Sequence, residues 1–217
     1  AAAGCEIAIA GRREAKLRET AAKSPGSKMS WQSVDVTDRG AVQSLVEWAT
    51  QRMGRVDCLI HAAGNNIKNR SMREMRPEQW DEIMAVNATG AYNCMWAVLP
   101  QMRDRGEGQI VNITSISGKR AVDLGGIAYC ASKFAATGLG TAVANEEAQQ
   151  GIRVTNVYPG EVDTPLLDQR PTPVSAERRA NMLQPDDIAQ MIVALLRLPP
   201  RAHVAELVIK PTVQTDA

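Results

Sequence analysis

The chain has 217 residues, 44% of them hydrophobic and 23% charged, with a net charge of +1, which suits one packed α/β domain and is too short for two of ordinary size. Near-balanced charge with no long run of one sign argues against nucleic acid or an anionic membrane as partner and leaves small molecules or other subunits. No apolar run approaches the roughly 20 residues that cross a bilayer, and Cys5, Cys58, Cys94 and Cys130 lie far apart and form no CxxC pair, so free thiols in a reducing cytoplasm are expected.

In chain order, a β-branched run predicts a strand over 6–10, followed by a helix over 14–22. Further strands are predicted at 29–34, 58–61, 109–113, 153–158 and 206–209, separated by helices at 41–53, 77–103, 128–150 and 185–196. Strands alternating with helices imply parallel β-α-β units and a sheet covered on both faces. Gly151 stands where the fourth helix needs a C-terminal cap. The stretch 164–182 is rich in proline and charge and shows no period, so a substrate lid is expected there. With no internal repeat and no shift of composition, residues 1–217 read as a single domain.

The chemistry gathers at Tyr129-Cys130-Ala131-Ser132-Lys133, whose spacing puts a phenol and an ammonium on one helix face. A free phenol has a pKa near 10 and needs a neighbouring cation to work as an acid or base at neutral pH, a role open to Lys133. Tyr-x-x-x-Lys alone is a weak signal, because many solvated helix faces carry it. Its surroundings strengthen it. Gln109-Ile-Val-Asn-Ile-Thr-Ser-Ile-Ser-Gly118 reads as a buried strand ending in hydroxyls, at the edge where open α/β sheets bind ligands. Ile60-His-Ala-Ala-Gly64 and Gly151-Ile-Arg-Val-Thr-Asn-Val-Tyr-Pro-Gly160 end two further strands, and Val86-Asn-Ala-Thr-Gly90 sits in a long helix.

Together and in this order, these segments resemble the motif set of the short-chain dehydrogenase/reductase family over nearly the whole chain, from Gly4 to Pro211. The resemblance implies a Rossmann-like doubly wound parallel sheet and a catalytic tetrad of Asn87, Ser115, Tyr129 and Lys133. It also implies hydride transfer between a nicotinamide and a carbonyl or alcohol substrate, with Tyr129 exchanging the proton. Ser115 would orient the substrate oxygen, Lys133 would lower the tyrosine pKa and bind the nicotinamide ribose, and Asn87 would use a break in its helix to hold a water. By position, Asp35 and Val36 match the family's adenine contacts and Val162 and Thr164 its nicotinamide-amide contacts, while His61 and Ala62 lie in the turn that borders the cofactor. In Ala8-Ile-Ala-Gly-Arg-Arg13 the strand ends with Gly11 where an acid often holds the ribose 2'-hydroxyl of NAD. Arg12 and Arg13 follow, and guanidinium suits a 2'-phosphate, so NADP(H) is expected in preference to NAD(H).

Two departures accompany the resemblance. The family's glycine-rich turn and the strand before it should precede the helix at 14–22 but are not in the sequence, so an N-terminally incomplete chain is expected, with unpaired backbone in the middle of the sheet. His61 replaces the usual asparagine of its turn, and a structural hydrogen bond within the sheet is expected of it. His203 is expected at the surface. The family also implies a homo-oligomer, most often a tetramer, built on the helices at 77–103 and 128–150. The competing function is a catalytically silent binding or scaffold protein that keeps the fold.

Overall fold

The computed structural model describes residues 1, 3–24, 26 and 28–214. Six strands alternate with seven α-helices: β1 (Ile7–Gly11), α1 (Glu14–Ala22), β2 (Met29–Ser33), α2 (Arg39–Met53), β3 (Cys58–His61), α3 (Pro77–Met84), α4 (Gly90–Arg105), β4 (Gly108–Ile113), α5 (Ile127–Glu147), β5 (Ile152–Pro159), α6 (Ala176–Ala180), α7 (Pro185–Leu196) and β6 (Glu206–Ile209).

Every strand pairing is parallel, but the strands form two hydrogen-bonded sets, β1-β2 and β3-β4-β5-β6. Parallel strands covered on both faces need apolar side chains of both parities, and β4 supplies them. Ile110 packs with Met95, Val98, Leu99 and Met102 of α4, while the next residue, Val111, packs with Ile188, Ile192 and Leu195 of α7. Between the two sets no strand hydrogen bond is made among the described residues. They are joined by side chains: Val42 of α2 and Val34 meet Cys94 of α4, with Leu59 of β3 at the same cluster. The expected gap in the middle of the sheet is therefore visible as a seam between β1 and β3.

Local sequence explains the boundaries. Asp38 caps α2 by accepting from the amide of Ala41, and Pro77 and Pro185 open α3 and α7, where a missing N–H costs nothing. After α5 the chain tightens into a 3-10 turn, Ala148–Gln150, and leaves it through Gly151 at φ +71°. A side chain there would be strained and would also collide with the carbonyl of Gly106. The predicted irregular stretch 164–182 is more ordered than expected. It holds a 3-10 turn, Pro165–Gln169, and α6, capped by Ser175 accepting from the amide of Arg178. Both are too short to show a period in sequence.

Candidate active site

Tyr129 and Lys133 lie in the first two turns of α5, which starts after Gly126 at φ +79°. The Lys133 ammonium is 5.7 Å from the centre of the Tyr129 ring and donates to the carbonyl of Ile113 at 3.1 Å, where β4 ends. Burial of Lys133 disfavours its charged form and brings its pKa down to about 8. Burial is the largest influence on Tyr129 and pushes its phenol up from its ordinary value, against a hydrogen bond with Ser115 and the charge of Arg70, which pull it down, so at neutral pH the phenol holds its proton.

Ser115 stands just beyond β4, and its neighbours are committed elsewhere. Thr114 donates its hydroxyl to the carbonyl of Val157 at 2.9 Å, and the amide of Ser117 donates to Ser115 Oγ at 3.1 Å. Of the three hydroxyls that end the strand, only that of Ser115 is recorded in a hydrogen bond with Tyr129.

The predicted long helix over 77–103 is two helices, α3 and α4, joined by a π-helical turn, Ala85–Thr89, that contains Asn87. A π turn widens the backbone by one residue and commonly marks a functional position. Asn87 is fully buried. It accepts from the amide of Asn65 at 2.8 Å and donates to the carbonyl of Asn65 at 3.0 Å and to Ser132 Oγ at 2.9 Å. Ser132 in turn donates to the carbonyl of Tyr129, so the π turn, the loop after β3 and α5 form one hydrogen-bonded unit. A Cβ on Gly64 would lie 3.4 Å from both Asn87 Oδ1 and Lys133 Nζ, which keeps the backbone of that loop close above the tetrad.

The residues expected to face a dinucleotide are spread along the same sheet edge. Arg12 follows β1 with an exposed side chain 4.0 Å from the carboxylate of Asp35. Asp35 accepts from the amide and hydroxyl of Thr37, which with Arg12 hold its carboxyl below the usual range. Arg13 caps α1 through its backbone alone and is exposed. Val36 fills the space above Gly90 at the start of α4, and its carbonyl accepts from Asn93. Ala62 is exposed just after β3. Val162 pairs with Leu183, and Thr164 precedes the 3-10 turn Pro165–Gln169. His61 is buried, and its Nε2 has no partner, so the expected bond within the sheet is not made by that atom. Desolvation, with the charge of Lys133 beside it, takes its pKa down to about 4. His203 is exposed as expected, with Nε2 2.9 Å from the carbonyl of Val154.

These positions fit a bound nicotinamide dinucleotide. Lys133 is recorded giving one hydrogen bond of its three possible donors, Gly64 leaves the approach open, and Arg12 is exposed at the other end.

Sequence reasoning missed Arg70. Its buried guanidinium donates to the carbonyls of Ile67, Leu124 and Gln169, tying the loop after β3 to the loop before α5 and to the 3-10 turn Pro165–Gln169. Nearby, Asn66 donates to the carbonyl of Gly125. Arg70's acceptors are backbone atoms up to 99 residues away, and no sequence motif records such partners. Glu161, which accepts from the side chains of Arg170 and Arg178, was missed as well.

Comparison with known proteins agrees with this geometry. The profile of the family described as short chain dehydrogenase matches residues 1–174. An uncharacterized oxidoreductase of Staphylococcus saprophyticus is 33% identical over 211 residues, covering 96% of this chain and 87% of the relative. An alcohol dehydrogenase from the archaeon Thermococcus sibiricus, solved with 5-hydroxy-NADP, superposes with a TM-score of 0.86 at 25% identity over 99% of this chain and 89% of its own. A variant of actinorhodin polyketide ketoreductase solved with NADPH gives a TM-score of 0.84 at 29% identity, over 94% and 85% of the two chains.

Proposed function

Because the chain belongs to the short-chain dehydrogenase family, a class of NAD(P)-dependent oxidoreductases, we propose that it interconverts a carbonyl and an alcohol with NADP(H) in preference to NAD(H), using Tyr129 as general acid and base. The observation that carries this reading is the grouping of Tyr129 with Ser115 and Lys133 at the carboxyl edge of β4, with the phenol protonated at neutral pH. When bound, the reduced nicotinamide supplies a hydride to the carbonyl carbon. Tyr129 gives its proton to the carbonyl oxygen, so no unsupported alkoxide accumulates. Ser115 holds that oxygen in line, and Lys133, with donors to spare, binds the ribose and returns a proton toward Tyr129. Asn87 fixes the loop of Asn65 against α5 and so sets where Lys133 can reach.

Arg12 supports the choice of NADP(H), because an exposed guanidinium beside the adenine-facing Asp35 suits a 2'-phosphate. The solved neighbours that carry NADP or NADPH support it too. Asp35, Val36, His61 and Ala62 border the adenosine and its ribose, and Val162 and Thr164 the nicotinamide amide. The exposed aromatic residues Tyr92 and Trp96 of α4 and Phe134 of α5 support a homotetramer built on these helices, and the free cysteines a cytoplasmic setting. The competing reading is a fold that binds but does not turn over. NADPH oxidation followed at 340 nm against a panel of ketones and aldehydes decides between them: turnover that disappears in Tyr129→Phe is expected, and no turnover with any carbonyl would favour the silent protein.

A further inference from the structure

Between the loop before α5 and the lid lies a cleft of about 300 Å³ whose walls include Leu124, Arg170, Thr172, Ser175 and Arg178. This is the lower end of the range for small-molecule sites. The cleft is joined to the tetrad through Arg70, which donates to the carbonyl of Leu124 on one wall and to that of Gln169, next to Arg170, on the other. Arg70 also lies near enough to Tyr129 and to Arg170 for its charge to act on both.

Among the described residues the walls of the cleft carry two guanidiniums and no carboxylate. Carbonyls take three of the five N–H hydrogens of Arg70 and leave its charge in a buried place, a costly arrangement that an added anion relieves. Arg170 and Arg178 both donate to the same oxygen of Glu161, each at 2.8 Å, so two cations share one carboxylate. Arg179 engages Asp163 and Asp168, and none of these three, nor Asp123 or Glu177, lines the cleft. Thr172 and Ser175 add hydroxyl donors at the rim.

Resting on the oxidoreductase reading above, we infer that the substrate is an anionic carbonyl or hydroxy compound, a keto acid or hydroxy acid, whose carboxylate sits in this cleft against Arg170 and Arg178 while its reacting carbon faces Tyr129. A guanidinium holds a carboxylate through paired hydrogen bonds. Arg178 is the adaptable member, with a side chain 57% exposed, and Arg170 the fixed one at 11%.

The test is calorimetric titration of the 217-residue chain with levulinate, a keto acid, and with its uncharged methyl ester. The acid is expected to bind at least about tenfold tighter than the ester, a difference of about 1.4 kcal/mol. Arg178→Ala should abolish that preference by weakening the acid alone, Arg178→Lys should keep part of it, and added salt should erode it. Arg178 leaves the core untouched, so loss of folding does not confuse the result. Equal affinities, no heat from the acid, or an undiminished preference in Arg178→Ala would overturn the inference. NADPH oxidation with the same pair separates the two readings. A charge preference without turnover sinks the oxidoreductase reading alone, and turnover of the ester and acid alike without any preference in binding sinks the anion site alone.

Discussion

Replacing Asn87 with alanine removes three hydrogen bonds at once, the pair with the backbone of Asn65 and the bond to Ser132. The residue is 1% exposed, so water does not take their place without a rearrangement. At about 1 kcal/mol net for each bond, the cost is about 3 kcal/mol. For a chain of this size each kcal/mol lowers the melting temperature by roughly 2–4 °C, so Asn87→Ala should melt about 9 °C below the parent by circular dichroism. Turnover should fall by more than the lost stability explains, because the same bonds hold the loop of Gly64 against Lys133. A tenfold or greater loss in kcat, with KM changed less, is therefore expected from the folded variant. A melting temperature within about 2 °C of the parent together with unchanged kcat would refute the reasoning, since it would mean that the π turn holds its shape without the Asn87 side chain.

Three further outcomes follow from the site. Tyr129→Phe keeps nearly the same volume and removes the transferable proton, so it should fold normally and lose all but a few per cent of turnover; substantial residual activity would remove Tyr129 from the acid role. Arg12→Ala should weaken NADPH far more than NADH in a fluorescence titration, and equal losses would show that Arg12 does not meet the 2'-phosphate. His61 predicts a pH effect. Its folded pKa of about 4 lies below the ordinary 6.5, so as pH falls through this window the unfolded chain takes a proton that the folded chain refuses, and stability is lost by up to about 3 kcal/mol. Urea unfolding at several pH values should show His61→Asn losing less between pH 6.5 and 4 than the parent; parallel pH profiles would contradict the assignment.

What the sequence revealed was what depends on neighbours along the chain. The spacing of Tyr129 and Lys133, the hydroxyls closing β4 and the glycine ending α5 all have local causes, and each is found where it was expected. The π turn was hidden, because apolar periodicity over Pro77–Arg105 does not register a single added residue, although the resemblance implied a break at Asn87. The burial that raises the phenol of Tyr129 was not legible, because a spacing of four residues tells of proximity to Lys133 but nothing of desolvation. Arg70 could not be found at all, since what distinguishes it is the convergence of the carbonyl of Ile67 with two that are distant in sequence, those of Leu124 and Gln169.

The ties of Arg70 have a consequence for how the loops around the site loosen. Its guanidinium donates to the carbonyls of Ile67, Leu124 and Gln169, so the loop after β3, the loop before α5 and the 3-10 turn Pro165–Gln169 share one hub. Segments joined in that way open together, and their amides should exchange with solvent water in step with one another and sooner than those of β4 and β5, which are laddered on both edges.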